Sequence, residues 1–488
     1  MEIASETERK YDVPDSFKLP SLIDIVGVQS AADAETHELD ATYFDTDDLV
    51  LLRNSRTLRR RVGGNDAGWH LKTPGNGTNR TEHRLPLSGE TEAGKKGPGE
   101  AGPGETVPDE LAGQVRAIVR GRPLRPVARL RTHRVETPLR AADGRLLGLV
   151  AQDRVTAETD GREQHWQEIE VELVDGDPAL LEAVERRLLT AGATPAAGPS
   201  KVARALGDRV PAERPARKRK IHPVLAYVRE QRDAITAYDP GVRQGESEAV
   251  HKMRVGTRRL RSTLKSFKRS FPGSAEVGTE LKWLADLLGA VRDGQVQKEK
   301  LLTGVANAGP QFAPAAERIS AHLDGEVARG RQALAEALDG DRYLALLDRI
   351  DRLADHPDPI ENNPLRRARK SLRRADRLLD QALADGEDAE LHEARKAYKR
   401  ARYAVEVFEP STGKPAKRLV KVLTEVQDVL GGHQDSVVAR ELLRELGPDD
   451  FWFGVLWARQ EQVGKDTYAQ VPVVIEVSRK KKLRRWLG

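Results

Sequence analysis

Residues 250–267 read VHKMRVGTRRLRSTLKSF, and the pattern of this stretch returns once, far downstream. The polar residues of the two copies are spaced as His251-x-x-Arg254-x-x-x-Arg258-x-x-Arg261 and as His392-x-x-Arg395-x-x-x-Lys399-x-x-Arg402. In an α-helix, residues at such spacings lie on one face. An apolar series runs one position earlier in each copy. The pattern therefore predicts two amphipathic helices, each with a basic stripe beside its core-facing stripe.

A second motif follows each copy at a matching distance. The two occurrences are Leu288-Gly289-x-x-x-Asp293 and Leu430-Gly431-x-x-x-Asp435. The histidine and the aspartate are separated by 42 residues in the first copy (293 − 251) and by 43 in the second (435 − 392). Such agreement indicates an internal duplication. It predicts two helical repeats, at about residues 221–356 and 364–488, separated by a proline-containing stretch.

The duplicated pattern resembles the CHAD domain, the conserved histidine α-helical domain. This resemblance implies two pseudo-symmetric helical bundles that line a basic cavity and bind inorganic polyphosphate. A basic stripe is most often a solvated face, but a solvated face has no need to repeat a histidine beside three cations. The two histidines could instead support neighbouring helices. The residues assigned to polyphosphate are His251, Arg254, Arg258, Arg261, His392, Arg395, Lys396, Lys399, Arg402, Arg369 and Arg373.

The bulk composition excludes several classes of site. The chain has 488 residues, which is too long for one core, and no cysteine, so disulfides and thiolate chemistry are excluded. Charged residues make up 32%, yet the net charge is only +5. Electrostatic attraction of a ligand therefore requires that basic and acidic residues be locally segregated. Aromatic residues make up 5%, which leaves few stacking platforms for single-stranded nucleic acid.

The N-terminal part alternates between apolar and charged residues, which predicts strands. For example, Ile169 and Val171 alternate with Glu168, Glu170 and Glu172. Several other segments carry arginine or lysine on the charged face instead. If the sheet closes with its apolar face outward, the charged faces form a tunnel with acidic and basic walls. Such a tunnel suits a metal triphosphate, because carboxylates hold hard cations and arginines grip phosphate oxygens.

The order of motifs then resembles the CYTH domain of triphosphate tunnel metalloenzymes. Glu6-Thr7-Glu8-Arg9-Lys10 resembles the Glu-x-Glu-x-Lys signature that opens this family. Further blocks follow in family order, including Tyr43-Phe44-Asp45-Thr46, Thr57-Leu58-Arg59-Arg60-Arg61, Ala128-Arg129-Leu130-Arg131 and Ser200-Lys201. The resemblance implies an eight-stranded antiparallel tunnel that hydrolyses or cyclises a triphosphate with Mg²⁺ or Mn²⁺.

The tunnel residues divide into three expected roles. The predicted metal ligands are Glu6, Glu8, Glu82, Glu168, Glu170, Glu172 and Asp153. The predicted phosphate-binding residues are Arg59, Arg61, Lys72, Arg84, Arg129, Arg131 and Lys201. We assign the catalytic role to Lys10 and Glu8, with Lys10 contacting phosphate or orienting the attacking water. A metal can activate that water, so no serine or cysteine nucleophile is needed.

The sequence thus predicts an α+β multidomain protein. Its parts are a CYTH tunnel domain over residues 1–210 with covering helices, a basic linker over 211–220, and an all-α CHAD domain over 221–488. No stretch resembles a signal peptide or a membrane span, so a cytoplasmic location is expected, with association with polyphosphate granules left open.

The expected activity is hydrolysis of inorganic tripolyphosphate or a short polyphosphate, because the sequence contains no pattern that indicates recognition of a nucleotide base or a thiazole ring. Three alternatives remain: a non-catalytic granule-binding protein, a nucleic-acid-binding protein, and an adenylate cyclase or thiamine triphosphatase. Low aromatic content disfavours nucleic acid. No membrane partner is expected.

Overall fold

A computed structural model describes residues 1–488 except 24, 26, 76–79, 88–105, 199, 211–220, 307–308 and 356–362. The chain divides into two compact units, Met1–Arg217 and Lys218–Gly488. The linker predicted over residues 211–220 lies outside the described residues, as does most of the stretch predicted to separate the repeats. No helix in the described part of the chain carries an apolar stretch long enough to cross a bilayer.

Eight strands of the first unit form a closed antiparallel barrel, as predicted. The order is β5-β4-β3-β2-β6-β7-β8-β1, and pairing between β1 and β5 closes it. Strand β1 reaches both neighbours because its residues 2–6 pair with β5 and its residues 7–13 pair with β8. The strands are β1 (Glu2–Val13), β2 (Glu35–Asp45), β3 (Thr57–Val62), β4 (Gly68–Pro74), β5 (Arg80–Leu85), β6 (Arg125–Arg140), β7 (Leu146–Thr159) and β8 (Arg162–Leu173), with a two-residue β9 (Thr194–Pro195) beside β1.

The outward apolar faces of the barrel are covered by helices. The helices of this unit are α1 (Val50–Arg53), α2 (Asp109–Val119), α3 (Pro178–Thr190) and α4 (Lys201–Leu206). Helix α3 packs its leucines on Ile169 and Val171 of β8. Helix α2 packs on Leu58 and Leu71 of β3 and β4. Each fully buried side chain of this size stabilises the fold by about 1.5–3 kcal/mol. Where α2 and α3 cover the strands, the apolar faces therefore point outward and the charged faces of the same strands point inward.

Helix α4 packs against the barrel at one end of the charged interior. Val202, Ala205 and Leu206 contact buried apolar residues there, including Leu130 and Trp166. The Ser200 hydroxyl accepts a hydrogen bond from the Ala203 backbone amide at 3.2 Å and caps the helix. Lys201 is therefore the first helical residue, and its side chain lines the interior of the barrel.

The second unit is all-helical, as predicted, and shows the duplication. The first set of helices comprises α5 (Pro223–Arg243), α6 (Ser247–Ser266), α7 (Ser274–Ala306), α8 (Ala313–Asp339) and α9 (Asp341–Asp355). The second set comprises α10 (Pro364–Asp385), α11 (Asp388–Glu406), α12 (Glu409–Thr412), α13 (Lys414–Leu446), α14 (Phe451–Arg479) and α15 (Lys481–Arg484). Packing follows the same order in both sets, α5–α6–α7–α8 and α10–α11–α13–α14. Helices α6 and α11, which carry the two basic stripes, also contact each other.

Candidate functional site

Most of the charged residues predicted for the tunnel do meet inside the barrel. The residues that line its interior include Glu6, Glu8, Lys10, Arg59, Arg61, Lys72, Arg80, Glu82, Arg84, Glu170, Glu172 and Lys201. Only about 70 Å³ of open space remains between them, against roughly 300–1,000 Å³ in typical ligand pockets. The side chains fill the tunnel by pairing with one another, so an entering ligand has to exchange with some of these internal ion pairs.

The first acidic group of the tunnel consists of Asp153, Glu168 and Glu170. One carboxylate oxygen of each lies within 4.8 Å of the others, a spacing that could hold a metal ion. The Lys201 ammonium now contacts all three, at 2.9, 2.6 and 2.6 Å. Burial disfavours the charged ammonium, but the three carboxylates outweigh burial and raise the pKa of Lys201. Lys201 is therefore a buried cation at the centre of this group.

The second acidic group consists of Glu6, Glu8 and Glu172. Glu8 and Glu172 are direct cross-strand partners on β1 and β8, an arrangement in which like charges repel. Lys72 pairs with Glu6 at 2.5 Å and Lys10 with Glu8 at 3.2 Å, but Glu172 forms no ion pair with any described residue. Burial and the repulsion of Glu6 and Glu8 raise the pKa of Glu172 to about 7. Arg84 also pairs with Glu6, at 3.3 Å, so Glu172 is the carboxylate of this group that lacks a cationic partner among the described residues.

Glu82, another predicted metal ligand, adjoins Glu6 and is surrounded by cations. Its carboxylate is 3.1 Å from His70 Nδ1 and 3.8 Å from the Lys72 ammonium, and it also pairs with Arg84. Burial opposes ionisation, but His70 and Lys72 overcome it and hold the pKa of Glu82 well below its usual range. Glu82 therefore positions Lys72 and Arg84, two cations of the basic wall of the tunnel.

Arg129 and Arg131 do not line the tunnel, so their assignment to phosphate binding is wrong. Both side chains are exposed, and Arg129 pairs with Asp40 at 2.6 Å. The reason is the apolar packing beside α4: on this part of β6, Leu130 belongs to a buried cluster with residues of α4. Because neighbours in a strand alternate, the arginines on either side of Leu130 point outward.

Arg134 is the tunnel cation that the sequence analysis missed. Its guanidinium donates two hydrogen bonds to Asp153, at 2.8 and 2.7 Å, and one to Glu170 at 2.6 Å. Burial disfavours its charge, yet these two carboxylates raise the pKa of Arg134 well above its usual value. Arg134 lies four positions after the inward Leu130 and therefore on the same face of the strand, so the alternation counted from Leu130 was the signal that could have found it.

The Leu-Gly-x-x-x-Asp motif of the helical unit holds an arginine in place, in the same way in both repeats. Arg254 Nη2 donates to Asp293 at 2.6 Å, and a Cβ on Gly289 would lie 3.5 Å from the same guanidinium. In the second repeat, Arg395 Nη2 lies 4.0 Å from Asp435. A Cβ on Gly431 would lie only 3.3 Å from that nitrogen. The glycine lets the guanidinium lie against the helix, and the aspartate pairs with it.

Cations of both repeats converge where α6 and α11 meet. We call Arg254, Arg258, Arg395 and Lys399 the central cationic cluster. Burial, followed by repulsion from Arg258, Arg395 and Arg254, lowers the pKa of Lys399 to about 7. Neither Arg258 nor Lys399 forms an ion pair within the described residues. Four cations held together with carboxylate partners for only two of them, Arg254 and Arg395, favour an anion.

The remaining predicted polyphosphate residues have different surroundings. His251 and His392 are half-buried on their helices, and burial lowers the pKa of each. Lys396 is half-exposed and pairs with Glu393 at 2.7 Å. Arg369 donates to the carbonyl of Gly488.

Arg402 is a correction, because it faces the core rather than the basic stripe. Its guanidinium donates to Glu406 at 2.8 Å and to Gln427 at 3.1 Å. Glu406 and Gln427 are both buried. Buried carboxylates need a cationic or hydrogen-bonding partner, so Arg402 has a structural role. Arg373 is exposed on α10, and Arg261 lies further along α6 from the central cationic cluster.

Comparisons with known proteins match both units. The family model of the CYTH domain matches residues 4–206, and that of the CHAD domain matches residues 226–444. The chain is also similar to the uncharacterized protein Rv2226 of Mycobacterium tuberculosis, with 38% identity across 96% of this chain and 95% of that protein.

Two solved structures resemble about half of the chain. The CHAD domain from the plant Ricinus communis is 28% identical and covers 52% of this chain and 90% of its own, with a TM-score of 0.43. PptA from Streptomyces chartreusis is 19% identical and covers 52% of this chain and 98% of its own, with a TM-score of 0.45.

Proposed function

The chain belongs to the family of proteins in which a CYTH domain is followed by a CHAD domain, and from this premise we propose a function for each unit. The tunnel hydrolyses inorganic tripolyphosphate or a short polyphosphate with a divalent metal, and the helical unit binds inorganic polyphosphate. The observation that carries the first proposal is the pairing of acidic groups with a basic wall inside one closed barrel. The central cationic cluster carries the second.

The acidic residues of the tunnel fit a hard divalent cation. Such ions take carboxylate oxygens as ligands, and Asp153, Glu168 and Glu170 already place their oxygens within 4.8 Å of one another. Glu8 and Glu172 face each other across adjacent strands, and Glu172 has no cationic partner among the described residues. These five residues, with Glu6, would hold Mg²⁺ or Mn²⁺. The metal supplies neutralisation of phosphate charge and activation of a water nucleophile.

The basic wall is suited to hold the phosphates. Arg59 and Arg61 project from β3 towards Lys72 and Arg84 on the next strands. Burial and the repulsion of Arg59 and Arg134 lower the pKa of Arg61 to about 9, so it remains charged at neutral pH and would be stabilised by an anion. Arginine forks bind phosphate oxygens in pairs. These side chains would therefore orient a triphosphate against the acidic wall.

The lining favours an inorganic substrate over a nucleotide or thiamine triphosphate. Among the described residues that line the tunnel, Tyr43 is the sole aromatic side chain, and its hydroxyl accepts a hydrogen bond from Arg59. A base or thiazole ring needs apolar or stacking surface, which charged side chains supply poorly. The proposed substrate is consequently a bare phosphate chain.

The proposal is tested by phosphate release from tripolyphosphate with and without Mg²⁺. We expect turnover that a chelator abolishes and that Mg²⁺ or Mn²⁺ restores. ATP and thiamine triphosphate serve as competing substrates. Tripolyphosphate that stays intact with either metal would reject the hydrolase and leave a polyphosphate-binding protein, whereas faster turnover of ATP or thiamine triphosphate would reject the inorganic substrate.

Arg134 and Arg131 form a matched pair of variants on the same strand. Replacing Arg134 with Gln should lower kcat by about 10²–10³-fold, since a lost charged group in a tunnel of this kind costs about that much. Replacing Arg131 with Gln should change it less than about twofold, as for other surface substitutions. Tripolyphosphate hydrolysis and melting temperature are measured for both. Equal losses in the two variants would refute the assignment of Arg134 to the tunnel and Arg131 to the outside.

Lys399 should link polyphosphate binding to proton uptake. Its pKa is about 7 in the free protein, and a bound polyanion favours the ammonium form and raises that pKa. Binding is therefore strongest below the free pKa and weakens as pH rises through about 7–9. Calorimetry in two buffers of different ionisation enthalpy measures the uptake. Lys399→Arg keeps the charge at every pH, so uptake near pH 7 should fall by about half a proton; unchanged uptake would contradict the assignment.

A further inference from the structure

Lys399 occupies the position in the second repeat that Arg258 occupies in the first. It follows His392 by seven residues (399 − 392), as Arg258 follows His251 (258 − 251). An arginine keeps its charge at every pH that a cell reaches, whereas a lysine can lose its proton. Lys399 is therefore the member of the central cationic cluster that can act as a neutral amine.

The surroundings of Lys399 favour this neutral form. The charged groups around it are Arg254 and Arg258 from α6, Arg395 from its own helix, and Asp435 from α13. The carboxylate of Asp435 is shared, because it pairs with Lys300 at 2.5 Å and lies 4.0 Å from Arg395. Burial and repulsion from three guanidinium groups thus outweigh the attraction of one carboxylate.

Two lysines of the barrel show how much the partners of a buried amine matter. Lys10 pairs with Glu8 at 3.2 Å, and Lys201 pairs with three carboxylates. Burial disfavours the charge of both, but the carboxylates outweigh burial and raise the pKa of each lysine. Lys399 forms no ion pair within the described residues. A lysine that is desolvated beside other cations becomes a nucleophile near neutral pH.

The arginines beside Lys399 also form a site for an anionic reagent. Guanidinium groups bind phosphate oxygens in pairs, and Arg258 has no carboxylate partner among the described residues. The Lys399 side chain is half-buried, so part of it remains accessible from solution. An acyl phosphate carries an electrophilic carbonyl directly beside its phosphate. A phosphate held by the arginines would bring that carbonyl to the amine and raise its effective concentration.

We propose that Lys399 is an acylation site for small acyl phosphates, whose phosphate group binds to Arg254, Arg258 and Arg395. The neutral amine attacks the carbonyl carbon and forms an amide bond. The bond between that carbon and the bridging oxygen breaks, and inorganic phosphate leaves with its electron pair. The phosphate takes up the proton that the amine loses. The arginines stabilise the charge that develops on the leaving phosphate.

Acylation would also change the central cationic cluster. A free Lys399 amine can regain its charge when a polyanion binds, whereas the amide stays neutral at every pH. Polyphosphate binding should therefore be weaker in the acylated protein. This effect rests on the proposed function of the helical unit, but the acylation itself does not, because it needs only the amine and the arginines.

The test treats the full chain with acetyl phosphate and follows each lysine by peptide mass spectrometry. At about pH 7.5, an amine of pKa about 7 is roughly three-quarters neutral, against about one in a thousand for an ordinary lysine. A less basic amine is intrinsically a weaker nucleophile, which offsets part of this gain. Lys399 should be acetylated at least about tenfold faster than Lys396 and Lys465, which are exposed and pair with glutamates.

The pH dependence of acetylation separates Lys399 from an ordinary lysine. The rate at Lys399 should rise with pH to about 8 and then level, because the amine is by then almost fully neutral. An ordinary exposed lysine gains neutral amine up to about pH 10, and Lys465 provides this reference within the same sample.

Variants of Arg258 test the role of the arginines. Arg258→Gln removes the strongest repulsive neighbour of Lys399 and part of the phosphate site, so acetylation of Lys399 at about pH 7.5 should fall at least about fivefold. Arg258→Lys keeps the charge and should retain most of the rate. Arg329→Gln removes the same charge from the exposed face of α8, where it pairs with Glu326, and should leave the rate unchanged. Melting temperatures confirm that each variant is folded.

The outcomes distinguish this inference from the proposed function. Acetylation of Lys399 no faster than that of Lys396, or an unchanged rate in Arg258→Gln, would overturn the acylation site. Selective acetylation of a protein that binds no polyphosphate would reject the proposed function of the helical unit and support the acylation site. Where polyphosphate binds, the acetylated protein should bind it at least about fivefold more weakly; equal affinity would overturn the effect of acylation on binding.

Discussion

Replacing Glu8 with Gln should lower tripolyphosphate hydrolysis by at least about a hundredfold while the barrel stays folded. Glu8 lies inside the tunnel, directly across from Glu172. The amide preserves the shape of the side chain but removes a charge that would help to hold the metal. The activity loss should be partly reversed by raising the concentration of Mg²⁺ or Mn²⁺, because a weakened site needs more metal to fill.

The fold itself should tolerate the Glu8 substitution. The substitution removes the repulsion from Glu172 together with the ion pair to Lys10, so the two effects oppose each other and the melting temperature in chelator should change little. Glu158→Gln is the matched control, because Glu158 is exposed on β7, and its hydrolysis rate should equal that of the original protein. If the Glu8→Gln variant hydrolyses tripolyphosphate at the rate of the original protein when metal is limiting, the metal is held elsewhere.

Loss of the central cationic cluster should abolish polyphosphate binding. Replacing Arg254 and Arg258 with Gln should weaken affinity at least about tenfold, and replacing Arg395 and Lys399 should do so comparably, because both repeats supply the same cluster. The combination of all four substitutions should leave no measurable binding. Titration of long-chain polyphosphate at two salt concentrations measures these affinities.

Salt and competition distinguish the possible ligands of the cluster. Binding by counterion release weakens steeply with salt, and each pair of substitutions should reduce that dependence. Duplex DNA should compete poorly with polyphosphate; effective competition would favour the nucleic-acid alternative. Full affinity after loss of either repeat's cations would show that the duplicated face is structural. Melting temperatures of the variants exclude unfolding as the cause of lost binding.

Much of the fold and of the candidate site was predicted from local patterns in the sequence. The charged and apolar alternation of segments such as Glu168–Glu172 predicted strands with one charged face, and the barrel has that face inward. The repeated spacing of His251 and His392 predicted two equivalent basic helices, and α6 and α11 are those helices. The CYTH and CHAD resemblances are confirmed by the family matches. The functional roles of the individual residues remain predictions.

The sequence by itself determined which residues share a face of a strand or helix, because backbone geometry sets periods of 2.0 and 3.6. It did not determine which other parts of the protein pack against each face. Leu130 and not Arg131 points inward because α4, some seventy residues later in the chain, brings its apolar residues to that position. Arg402 turns to the core because Glu406 and Gln427 are buried there. Only the tertiary structure brings Lys201 among three carboxylates and Lys399 among three arginines, since the energy of burying a charge depends on partners that are distant in sequence.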